Sequence, residues 1–498
     1  MKRFALFATL IAVVLASAPL AAAQPRLTTA LGANPPTLDP QKTFNGFSFA
    51  ITNQVYETLF RVTTDGEIEG LLAAEWDFVE PTRLRVTLRE SVAFHDGLPL
   101  DAEAVRASLT RLLDPDTGAP GRFVVSAITA VEAVDARTLD IVTDQPFAPL
   151  LAHLAHPVAA VVPVSYGDDL ARAPVGTGPY RFVSWEQGNE VLLRANAEYW
   201  GGEPAITEVV YRIIPEVATQ LVELRSGGID ILFNVPPDNF AALEADENIV
   251  TDSFLGWGSV HLGFNIANPK LHDPKVRQAI AHAIDKQLII DEFLRGMAVA
   301  GVAPVPPTVR FAASDLADPY PYDPDAARAL LAEAGVQDLT VRLDTFQNPD
   351  LEAVAQVLQA MLADVGIELD IRVQEYAAYA EQTARDDTEL YATSWGTVTL
   401  DADYSLFAFF HSSEIPTNNV SRYQVAEIDA LLEQARATPD DAVRAAAYLD
   451  VQQAVLVDVP MLTLYYPLST VAKRSVLQGE VVRFSFINLD LRDATLTE

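Results

Sequence analysis

The sequence predicts an α/β protein of two lobes, with an extra α+β subdomain inserted in the first. Three observations carry that expectation. Strand–helix–strand patterns occur in both halves, at 211–231 and at 339–373, as parallel α/β lobes require. Between them, residues 258–297 read as a strand leaving one body, followed by two short capped helices that begin another. Ahead of both lie antiparallel strand patterns over 61–100 and 131–142, where Leu84, Val86 and Leu88 alternate with Arg83, Arg85 and Thr87.

Length and composition narrow the class. A chain of 498 residues exceeds one ordinary domain and suggests about three units. Lys2 and Arg3, the apolar run Phe4 to Ala18, and Ala21-Ala22-Ala23 read as a signal peptide over 1–23; a retained membrane anchor is the alternative, for which the segment is short. No later run approaches the ~20 apolar residues of a membrane helix. There is no cysteine, which excludes disulfides, a thiolate metal site, a cysteine nucleophile and a lipoprotein anchor. The mature chain is thus expected free in the periplasm. A net charge of −34 repels phosphate backbones, so no nucleic-acid partner is expected. Most of that charge reads as a solvated surface, with attraction of cationic ligands as the other reading.

In chain order, Leu27 to Leu31 reads as a strand and Asn34 to Pro40 as a turn-rich segment. Phe44, Phe47 and Phe49 precede a helix expected over 52–59; they could line a ligand wall or cap the core. Asp101 caps a helix carrying Val105, Leu109 and Leu112. His153 and His156 are spaced as a conceivable metal pair, but with no carboxylate cluster nearby they read as structural. Pro174 to Tyr180 is sharply bent and lacks the lysine of a phosphate loop. Asp273-Pro274 caps a helix with Val276, Ile280, Ala283 and Ile284 on one face, and Asp285 caps the next, ending near Gly296. Asp323-Pro324 starts another, ending at Gly335. Leu339–Leu343, helix 351–365 and Ile367–Val373 form a βαβ unit. A last long helix from Pro439-Asp440 to about Val457 precedes a strand, Met461 to Tyr466, after which the chain returns to the first lobe. Two crossings make a hinge.

Several of these segments carry a resemblance. Leu262, Phe264-Asn265, Asp273, Val276-Arg277-Gln278-Ala279-Ile280 and Ala283-Ile284-Asp285 stand in an order and spacing similar to the large extracytoplasmic solute-binding proteins of ABC importers, the peptide- and nickel-type family 5. The Leu38-Asp39-Pro40 turn, residues 88–105, Gly176 to Tyr180 and Asn196 to Gly202 resemble the same family. The resemblance implies a periplasmic-binding-protein-like fold of type II, cluster C. Its expected parts are lobe I at 24–257 plus 468–498, with the subdomain at about 50–170, and lobe II at 258–467.

For the site, Tyr391 to Tyr404 is the most informative stretch. A strand ends at Trp395, and a polar loop with Asp401 and Asp403 follows, in the place where open α/β sheets put ligands. Trp395 offers a flat wall or fills the core; Asp401 or Asp403 offers a charge to an ammonium group or caps a helix. Tyr404 closes the loop, Trp257 is a cleft candidate by its place before the hinge strand, and Phe44 and Phe47 are wall candidates. The family's peptide binders put an aspartate three residues past this tryptophan. Val398 stands there, so a strict dipeptide role is not expected, and the loop looks closer to binders of glutathione or modified peptides. His411 lies near this loop and reads as structural rather than as a nickel ligand. No catalytic motif is present. The expectation is therefore a non-enzymatic, monomeric importer component with no cofactor and no metal. It captures a peptide-like solute by lobe closure and docks on permease subunits that have separate ATPases, meeting the membrane only through them. A nickel- or metal-chelate receptor is the alternative within the family, and a secreted hydrolase the alternative of another class.

Overall fold

The computed structural model describes residues 25–63, 66–479, 481, 489–492 and 494–497. The leader expected at 1–23 lies outside the described residues. The strand Met461–Arg474 holds the molecule together. Its first half pairs antiparallel with Gly258–Phe264, Met461 standing opposite Gly263. Its second half pairs with Ile249–Leu255, Leu468 opposite Leu255, and with Ile231–Phe233. One strand therefore belongs to both lobes, where the sequence pattern suggested it would stop near Tyr466. Beside it the chain crosses a second time at Gly256-Trp257, between Ile249–Leu255 and Gly258–Phe264. Pro467 stands in the crossing, where it has no N–H to give a ladder; the next N–H, of Leu468, donates to the Met297 carbonyl at 3.0 Å.

In the first lobe Arg26–Leu31 lies parallel to both Glu208–Ile213 and Ile231–Phe233. Antiparallel strands Glu190–Ala195 and Tyr180–Glu186 extend the sheet. Leu27, Leu31, Ile51, Tyr180 and Tyr211 form its core. In the second lobe Leu339–Phe346 and Ile367–Gln374 are parallel, joined through helix Pro349–Asp364, as the βαβ pattern predicts. Phe264, Ile280, Leu343 and Leu358 fill that core. Arg277, from the motif that carries the resemblance, is buried and donates to the carbonyls of Asp458 and Val459, at the C-terminus of helix Asp441–Asp458, and to those of Leu271 and His272. A cation there meets the negative end of a helix whose last carbonyls have no N–H of their own.

The subdomain is a four-stranded antiparallel sheet of Ala73–Glu80, Arg83–Leu88, Thr138–Thr143 and Ile128–Ala133, in that order. Helix Ala102–Leu113 packs on it over a separate core of Leu84, Val86, Val105, Leu109 and Leu139. One element departs from expectation. The helix placed at 52–59 runs from Gly46 to Val55, because the Asn45 side chain accepts from the N–H groups of Phe47 and Ser48 and starts it earlier. Phe47 and Phe49 thereby sit on its first turn.

Candidate functional site

Two cavities open along the seam between the lobes, one of about 390 Å³ and one of about 480 Å³. The first has the size of a small-molecule cleft. The first lobe lines it with Phe44, Phe49 and Asn53 around helix Gly46–Val55, with Arg61 on strand Phe60–Val62, and with His156. Across it stand Trp257 and Val398 to Leu400, and Leu489 to Arg492 close one side.

Glu57 explains two bent segments. Its carboxylate accepts from Thr177 Oγ1 at 2.8 Å, Tyr199 OH at 2.7 Å and Trp200 Nε1 at 2.9 Å. Thr177 lies in the Gly176 to Tyr180 turn and the two aromatics in the Asn196 to Gly202 turn, so both fold onto one buried acid behind the cavity. A Cβ at Gly176 would stand 2.0 Å from the Val55 carbonyl oxygen, which is why the first turn needs glycine there. Burial raises the Glu57 pKa, and the three donors oppose that rise.

His156 stacks on Phe44, with ring centroids 5.2 Å apart and planes 7° from parallel, and meets Phe49 edge-on at 5.7 Å. Its Nδ1 accepts from the Val158 N–H at 3.1 Å, starting the short helix Pro157–Ala159. Burial lowers its pKa to about 3, so the ring is neutral at physiological pH. Arg61 donates through Nε to Glu69 across the strand pair, while its buried Nη1 has no partner among the described residues. Asp490 pairs with Arg492, whose Nε lies 2.9 Å from Oδ1. On the facing side, Trp257 covers Gly396: a Cβ there would lie 1.7 Å from the indole Cζ3.

The second cavity lies between the subdomain and the Asp401–Arg436 region, where the sheet-edge loop was expected to hold an ammonium group. The structure places both of its aspartates in ion pairs within the protein. Asp401 is fully buried, caps helix Ala402–Phe410 and accepts from Arg444 Nη2 at 2.8 and 2.9 Å. Asp403, also fully buried, takes Arg436 Nε at 2.8 Å, Arg436 Nη2 at 2.9 Å and the Tyr448 hydroxyl at 3.1 Å. Burial pushes the Asp403 carboxyl up, and the Arg436 charge and hydrogen bonds outweigh that and hold it below its ordinary value. Both aspartates are thus already matched by internal cations. The same region touches the first lobe: the Ala148 N–H donates to the Arg436 carbonyl at 2.7 Å, and the Arg436 guanidinium stands over Phe147, 5.4 Å from the ring centroid. His153, buried beside Phe147, gives Nδ1 to the Val124 carbonyl.

Of the residues expected at the site, Phe44 and Trp257 reach the first cavity. Phe47 packs half-buried against the first-lobe core instead. Trp395 donates Nε1 to Ser405 Oγ at 3.0 Å and packs on Phe409 and Tyr404, and Tyr404 lines the second cavity. His411 stacks on Phe407, also part of that wall. Glu57, Arg61 and His156 were not singled out as ligand-facing. His156 carried only its metal-like spacing to His153, and nothing in Leu59 to Val62 distinguishes a cavity-facing arginine from a solvated one. Among the described residues no cluster of three His, Asp or Glu gathers as a metal site, and no helix is long and apolar enough to cross a membrane.

Comparison with known proteins bears on this geometry. The pattern described as bacterial extracellular solute-binding proteins, family 5 middle, matches residues 67–417. The glutathione-binding protein GsiB of Salmonella paratyphi A is 29% identical over 482 residues, covering 93% of this chain and 94% of that protein. Among solved structures, HbpA2 from Haemophilus parasuis superposes with a TM-score of 0.88 at 26% identity, covering 95% of this chain and 100% of that one. The periplasmic binding protein DppA from Helicobacter pylori, in complex with the peptide STSA, does so with a TM-score of 0.77 at 30% identity, covering 95% and 98%.

Proposed function

The chain belongs to the bacterial extracellular solute-binding proteins of family 5, and from that membership we propose that it is the substrate-binding component of an ABC importer, taking a peptide or peptide-like solute. The observation that carries the proposal is the first cavity. It is walled by both lobes, sized for a small solute, and lies beside a hinge made of one shared strand and one crossing. The GsiB and DppA likenesses point to glutathione-like or oligopeptide solutes. We take the lobes as 24–257 plus 468–498 and 258–467, with the mature protein released to the periplasm by loss of 1–23 and with no cysteine for a lipid anchor.

In this reading the open form samples closure and the ligand stabilises the closed form by touching both walls. Phe44 and Trp257 would supply apolar faces, and Arg61 and His156 polar ones. A micromolar ligand supplies about 8 kcal/mol, part of which holds the seam contacts at Ala148 and Arg436 together. The closed protein would then dock on the permease as a monomer. The cavity carboxylates Glu57 and Asp490 are both engaged by protein donors, which supports capture over hydrolysis. Calorimetry of the purified protein against di- to tetrapeptides, glutathione and nickel–histidine tests this. Heat with peptides or glutathione, and ligand recovered chemically unchanged, is expected. Heat with the nickel chelate alone, or a cleaved peptide, would contradict it.

A further inference from the structure

Two polar groups in the first cavity are fixed as donors by the protein around them. His156 is one. Its Nδ1 accepts the Val158 N–H, so in the neutral ring the proton sits on Nε2. Among the described residues nothing accepts from that Nε2, and the ring lines the cavity between Phe44 and Phe49. The other is Arg61. Glu69, opposite it across the strand pair, takes Nε; Arg61 lines the cavity, and its buried Nη1 has no acceptor among the described residues. A buried guanidinium N–H without a partner is destabilising, and an arriving acceptor oxygen would relieve it.

The acids of the same cavity are in the opposite condition. Glu57 already accepts three hydrogen bonds, and Asp490 is bound to Arg492. Asp401 and Asp403, the acids that the sequence offered to an ammonium group, are matched by Arg444 and Arg436. The described lining thus offers the Arg61 and His156 donors, the unpartnered hydroxyls of Tyr56 and Thr399, which can donate or accept, and no carboxylate without a partner of its own.

We propose that Arg61 Nη1 and His156 Nε2–H read acceptor oxygens of the ligand, so the solute is a carboxylate-bearing peptide-like molecule whose α-amino group need not be free. This rests on the peptide reading above and deepens it. Phe44, Phe49 and Trp257 pack the apolar part of the ligand, and the donors set its polarity. Because His156 is neutral well below pH 6, its donor persists across the periplasmic range.

The test uses calorimetry of the full mature protein with trialanine and with Ser-Thr-Ser-Ala, each free, N-acetylated and C-terminally amidated, and with glutathione. N-acetylation is expected to leave the Kd within about threefold and amidation to weaken it about tenfold or more, the scale of a charge-assisted hydrogen bond. Arg61→Gln should weaken the free acid by about tenfold and erase the difference between acid and amide, which a merely structural role would not do. His156→Asn keeps a side-chain acceptor for Val158, but its shorter amide cannot place a donor where Nε2–H stands, and binding should weaken about threefold more than in Phe44→Leu, which disturbs the same ring stack and keeps the donor. Binding lost on N-acetylation but indifferent to amidation overturns the proposal and leaves the peptide reading intact. Arg61→Gln that binds acid and amide with the wild-type preference also overturns it. No heat with any of the probes overturns both.

Discussion

The two cavities on the seam use the same residue types to opposite ends. At the second, Asp403 meets Arg436, next to Phe147 and Ala148 of the other lobe, and behind that wall Asp401 meets Arg444. In the first, Glu57 is held by a threonine, a tyrosine and a tryptophan, while among the described residues Arg61 Nη1 has no partner and the His156 Nε2–H has no acceptor. Charges that are matched inside the protein build and close a seam. At the first cavity Arg61 Nη1 is left unmatched. A buried ion pair is a structural commitment, since removing either partner strands the other in a medium of low dielectric.

The sharpest way to break the comparison is at Arg444. Arg444→Ala leaves Asp401 buried and unpaired and should cost about 3–5 kcal/mol in urea denaturation; a loss under 1 kcal/mol would mean that the buried ion pairs behind the second cavity do not hold this region together. Next is the face of the first cavity. Gly396→Ala places a Cβ inside the Trp257 ring and should displace the indole, costing about 1–3 kcal/mol and shifting tryptophan fluorescence. Peptide binding should weaken with it.

Acid gives the third test. Burial lowers His156 and His261 to about 3 and His95 to about 4, from an ordinary value near 6.5. The unfolded chain therefore binds protons below pH 6.5 that the folded chain refuses, and stability falls as pH falls through that window. The slope reaches about 1.4 kcal/mol per pH unit for each histidine. Tm should be flat between pH 7 and 8 and drop steadily from 6 to 4.5. Asp403, held low by Arg436, keeps its contribution through that window and loses it only at pH values below the ordinary carboxylate range. The smallest effect belongs to the rim. Arg310 lies 3.7 Å from the exposed Glu67 across the seam, and Glu67→Gln should change stability by less than about 1 kcal/mol.

Much of the architecture was legible. Capping aspartates at 101, 273, 285, 323 and 440 each start the helix expected of them. The 339–373 βαβ unit forms as its periodicity predicts. The first helix was misplaced because an apolar run such as Phe47 to Ile51 has no strong period, and Asn45 decides the start. The site was harder to read. Asp401 and Asp403 stand at the start of helix Ala402–Phe410, just past the loop where ligands are bound in open sheets, but the arginines that neutralise them come from helices Ala426–Ala437 and Asp441–Asp458, more than thirty residues away in sequence. Arg61 and His156 meet at one cavity only because strand Phe60–Val62 and helix Leu150–Leu154 pack together, a contact between residues far apart in the chain.

The most direct test of the two-lobe clamp is small-angle X-ray scattering of the mature protein with and without a peptide that calorimetry shows to bind. Contraction of the radius of gyration on binding, to the value calculated from the structure with its seam contacts made, is the predicted result. An unchanged radius at saturating peptide would contradict lobe closure as the means of capture.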